Sequence, residues 1–109
     1  MAQVKSYIVR IWGGTDGDSK DGRARIQLND DSNTLGFIYF FDEGKPVPID
    51  FKTVIPQSTQ ELYSMHLPSS QFASVIDLLR NESPVYFSYI STTNHALLNT
   101  LSEAVGEGE

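Results

Sequence analysis

The chain has no cysteine, little positive charge and no long apolar run, and each shortage removes a class of protein. Without cysteine there is no disulfide framework and no thiolate zinc site, so metal binding is left to carboxylates and two histidines. Eight basic side chains against fourteen acidic ones give a formal charge of −6. That balance opposes docking on nucleic acid or anionic membranes, because neutralising phosphates takes clustered Lys and Arg. The opening MAQVKSYIVRIW lacks the apolar run of a secretion signal or a membrane span, and the expectation is a soluble, cytoplasmic protein.

Motifs that carry specific chemistry are missing as well. There is no G-x-S-x-G elbow and no glycine-rich phosphate loop; Gly13 and Gly14 are followed by aspartates that would repel phosphate. The stretch GGTDGDSKDG invites a calcium reading through Asp16, Asp18 and Asp21. Counting Asp16 as the first position of an EF-hand loop, however, puts Lys20 at the fifth and Gln27 where the bidentate Glu belongs. An ordinary solvated turn is expected there, with no metal and no cofactor.

What the chain does have is short alternating segments. In residues 23–28, Ala24, Ile26 and Leu28 point one way and Arg23, Arg25 and Gln27 the other, the pattern of a half-buried strand. Residues 4–12, 35–41 and 85–90 also read as strands, but both of their faces are apolar. The turn DEGK at 42–45 suggests a hairpin returning through Val47, Ile49 and Phe51, pushed to an edge by Pro46 and Pro48. Residues 52–60 read as a connection and 61–67 as a further strand.

One helix stands out. Phe72, Val75, Ile76 and Leu79 fall at i, i+3, i+4 and i+7, with Ser69 or Ser70 as N-cap and Asn81 and Pro84 as the stop. After it, residues 96–105 fit a helical stripe or, in the preferred reading, a strand from 96 to 101 pairing back across the turn-rich STTN. The tail at 106–109 is acidic, glycine-rich and expected to fray.

The expected fold is therefore a single α+β domain over 1–109, mainly β. It would be an antiparallel sheet of about six strands, curled or barrel-like, with one amphipathic helix at about 69–81.

Candidate functional residues follow from the same pattern. Trp12, Tyr39, Tyr86 and Tyr89 belong to strands whose second apolar face one helix cannot cover, so that face should meet another subunit or line a cavity. Arg23 and Arg25 share a strand face and could grip a carboxylate. His66, with Asp50 and nearby serines, has the residue types of a nucleophile–base set but no motif behind it, and no catalytic residue is assigned. The expected function is a non-catalytic interaction module that forms a homo-oligomer, most simply a dimer. The alternative is a small-ligand binder or cryptic enzyme with an aromatic-lined cavity near Trp12, Tyr39 and His66.

Overall fold

Two consecutive residues near the N-terminus decide the architecture. The Val4 N–H donates to the Val85 carbonyl, whereas the Lys5 N–H donates to the Asn29 carbonyl, so the chain leaves one sheet and enters another within a single peptide. The computed structural model describes residues 2–14 and 22–100. Its elements are β1 (Ala2–Gln3), β2 (Ser6–Ile11), β3 (Ala24–Asn29), β4 (Thr34–Phe41), β5 (Phe51–Val54), β6 (Glu61–Pro68), α1 (Phe72–Asn81), β7 (Val85–Ile90) and β8 (His95–Thr100). They form a three-stranded sheet, β1-β7-β8, and a five-stranded sheet, β2-β3-β4-β6-β5. The mainly-β, one-helix expectation stands among the described residues. The single curled sheet of about six strands does not: there are two sheets, and the larger stays open because its end strands, β2 and β5, do not pair.

The larger sheet is also not wholly antiparallel. β2, β3 and β4 run as a meander, but β6 pairs with β4 in parallel, Ile38 lying opposite Met65 and Phe40 opposite Leu67. The expected hairpin after residues 42–45 does not form. Residues 46–50 take no strand pairing and carry the chain to the far edge, where β5 forms within the stretch expected to be a connection. Prolines explain the shift. Pro46 and Pro48 offer no N–H to a ladder, and strand pairing resumes only once they are passed.

Alternation in β3 and β4 then gives the larger sheet one sealed face. Ile26, Leu28, Ile38 and Phe40 are fully buried there, under α1 and the smaller sheet. The Phe72 ring meets Phe40 edge-on at 5.0 Å, and Val75, Ile76 and Leu79 pack on the same cluster, as the helical stripe requires. From the smaller sheet, Phe87 is wholly buried and stands edge-on to Tyr63. Gly36 makes room for it. A Cβ at that position would collide with the Tyr63 carbonyl and come within 2.9 Å of the Phe87 ring.

Helix α1 follows a 3-10 turn over Ser69–Gln71, together matching the expected 69–81. Its expected serine caps are absent: neither the 3-10 turn nor α1 has a side-chain hydrogen bond at its N-cap, and Glu43 reaches over from the 42–50 crossover to accept the Ser70 N–H at 3.0 Å. The preferred hairpin reading at the C-terminal side holds, with β8 antiparallel to β7 and Asn94 supplying the left-handed turn residue at φ 55°. Tyr86 and Ile90, on the second apolar face of β7, point away from the core; Tyr86 is half-buried and Ile90 is 41% exposed. Residues 106–109 lie outside the described residues.

Candidate functional site

The face of the larger sheet opposite the core has no described element over it. Strand alternation puts Ile8 and Arg10 of β2, Arg25 and Gln27 of β3, Phe37, Tyr39 and Phe41 of β4, His66 of β6 and Phe51 of β5 on this side. The rings shield one another in a row. Phe37 lies 5.9 Å from Tyr39, Tyr39 stacks on His66 at 5.3 Å, and His66 touches Phe41 and Phe51 at 6.0 and 5.5 Å. Mutual packing leaves the row only partly covered: Ile8 and Phe51 are each 48% exposed. Of the aromatic residues singled out from sequence, Trp12 and Tyr39 are on this face. Tyr89 faces the other way, stacking on Tyr63, and Tyr86 is on the outer side of the smaller sheet.

The two arginines part company. Arg25 lies over both Trp12 and Phe37, 5.9 and 5.0 Å from the ring centroids, and sits directly across from Arg10. Arg10 and Arg25 thus form a like-charged cross-strand pair, an arrangement unfavourable by itself. Arg23 has an internal carboxylate. Its Nε and Nη2 donate to Asp42 Oδ1 and Oδ2, each at 2.9 Å, while Nη1 donates to the carbonyls of Trp12 and Gly14. The fork geometry anticipated from sequence is present, but it ties a loop to the end of β4. The Asp42 carboxyl is held below the usual carboxylate range chiefly by the hydrogen bonds from Arg23.

At the far side of the face lies a second feature, in which Asp50, noted from sequence only as a companion of His66, takes a different role. Asp50, the last residue before β5, bridges the two sheets: Oδ1 accepts the His66 N–H of β6 at 2.7 Å and Oδ2 accepts the Ala96 N–H of β8 at 2.9 Å. Its carboxylate takes the His66 N–H that Ile49 would face if β5 began two residues earlier. The Tyr89 hydroxyl donates to Asn94 Oδ1 at 3.1 Å and lies 3.4 Å from the Asp50 carbonyl, adding a third tie. An acidic residue between proline and a short strand was the only cue in the sequence.

His66 is buried beside this carboxylate. Only 6% of its side chain is exposed, and Nδ1 lies 3.4 Å from Asp50 Oδ1 without making a hydrogen bond. Burial pushes the imidazole below its ordinary range, outweighing the attraction of Asp50, so the ring is neutral at pH 7. The residue lines a cleft of about 500 Å³ with Asp50, Met65, Asn94 and His95. Neither Trp12 nor Tyr39 lines that cleft, so the three residues grouped from sequence do not share it. Among the described residues no serine is hydrogen-bonded to His66 Nδ1, and no hydroxyl–imidazole–carboxylate set is assembled there.

Among the described residues, no three His, Asp or Glu side chains gather as metal ligands, and no helix is long and apolar enough to cross a membrane. Asp16, Asp18 and Asp21 lie outside the described residues. Compared with protein-family models, curated proteins and solved structures, the chain shows no match.

Proposed function

We propose that this is a non-catalytic interaction module, residing in the cytoplasm, that self-associates through its larger sheet, most simply as a two-fold dimer. One observation carries the reading: a row of aromatic rings with Ile8 and Phe51 half-exposed, on a sheet face that no described element covers. Burying such a face is favourable in proportion to the apolar area removed from water. Sedimentation velocity across the micromolar range tests it. A concentration-dependent shift to a dimer is the expected result, and a monomer at every concentration overturns it.

A second reading rests on the Asp50–His66 cleft. A buried imidazole nitrogen without a partner, at the wall of an open cleft, suits a small ligand that brings one hydrogen-bonding group and an apolar body. Thermal-shift screening with aromatic and apolar compounds separates the two. A ligand seated there raises the melting temperature by mass action and loses its effect in His66→Phe.

A further inference from the structure

The two edges of the larger sheet are protected very differently. β5 is four residues long, approached through Pro46 and Pro48 and followed by Pro56. Short strands and prolines are the usual means of blunting an edge. β2 has six residues, no proline, and Ile8, Val9 and Ile11 at 48%, 37% and 64% exposure.

Its hydrogen-bonding register can be read from the ladder. Trp12 donates to the Arg23 carbonyl, so Trp12, Arg10, Ile8 and Ser6 turn their backbone groups toward β3. The N–H and C=O of Tyr7, Val9 and Ile11 therefore point away from the sheet, and no described strand pairs with them.

We infer that β2 pairs with β2 of a second copy, antiparallel about a two-fold axis through Val9, joining the two larger sheets into one. This rests on the proposed self-association and adds to it an edge-to-edge contact, distinct from the aromatic face, which this pairing leaves outward. The register is chosen by elimination. Centred on Val9, Tyr7 meets the partner's Ile11 and Val9 meets the partner's Val9. Every outward backbone group of these residues is then engaged, and apolar side chains meet on one face. On the other face Arg10 meets the partner's Ile8. Centred on Ile8, the pairing sets Ile11 against the partner's Lys5, whose N–H is already given to Asn29. Centred on Arg10, it opposes two guanidinium groups. The joined sheets would present both aromatic rows, with their Arg10–Arg25 pairs, on one continuous side.

Because the chain has no cysteine, Val9→Cys introduces one thiol per protomer, on the proposed axis. A directly opposed hydrogen-bonded pair has Cα atoms about 5.5 Å apart, within disulfide reach. Mild oxidation or a short thiol crosslinker should convert most Val9→Cys protein to a covalent dimer, while Lys45→Cys in the exposed turn stays largely monomeric. Val9→Lys should weaken dimerisation about tenfold or more without changing the far-ultraviolet circular dichroism. If the wild type sediments as a dimer but Val9→Cys does not crosslink and Val9→Lys still dimerises, the β2 seam is wrong and self-association stands. A wild-type monomer removes both.

Discussion

The two faces of the five-stranded sheet are both rich in apolar side chains, yet only the inner one is sealed, and only over its central strands, since Val9 and Ile11 at the β2 edge of that face stay exposed. On the inner face Ile26, Leu28, Ile38 and Phe40 have no exposed surface, whereas on the outer face Ile8 and Phe51 each keep 48%. Helix α1 and the β7–β8 hairpin are enough to cover one side of this sheet, and both lie on the same side. The outer rings pack against one another and under Arg25 instead. Stability accounts for the inner face, and the outer face needs a different reason to be aromatic.

Neighbouring residues on β4 sharpen this contrast most. Phe40→Ala empties a sealed site and should cost about 3–5 kcal/mol in urea unfolding. Tyr39→Ala, one residue away on the opposite face, should cost about 0.5–1.5 kcal/mol from lost ring contacts and should weaken self-association. Equal losses would mean that the outer face is structural like the inner one. Next in size is the clamp. Asp50→Ala leaves the His66 and Ala96 N–H groups without their acceptor and should cost about 1–3 kcal/mol, with Asp50→Asn intermediate.

The smallest effect comes from His66. Its folded-state pKa is depressed by burial, so the unfolded chain binds a proton more readily. The neutral ring's contribution is therefore fully present above the unfolded value of about 6.5 and is lost as pH falls toward the lower folded pKa. Thermal melts from pH 8 to pH 5 should show the melting temperature dropping on the acid side of about 6.5. His66→Gln should flatten that slope, and an unchanged slope would place the titration elsewhere.

How much of this could be read in advance follows the range of the interactions. The helix was legible because its stripe at Phe72, Val75, Ile76 and Leu79 is local and has one period. The β7–β8 hairpin was legible because a turn-rich tetrapeptide separates two apolar runs. Two sheets in place of one were not, since the switch rests on Val4 and Lys5 donating to strands some eighty and twenty-four residues away. The parallel β4–β6 pairing was hidden for the same reason, compounded by an inviting turn at 42–45 that leads to no strand partner. For the candidate site, doubly apolar strands pointed to a second apolar face and picked out Trp12 and Tyr39, which lie on it. They also picked out Tyr89, which a period-two pattern alone cannot assign to a side. Asp50 escaped because its role depends on two backbone amides brought together only by the fold.

The sole tryptophan offers the most direct test, because Trp12 belongs to the outer face, at the end of β2 and under Arg25. If that face is a contact surface between copies, raising the protein concentration through the micromolar range should move Trp12 emission to shorter wavelength and reduce its quenching by acrylamide, with the midpoint seen in sedimentation. Emission and quenching that stay the same at every concentration would contradict the account.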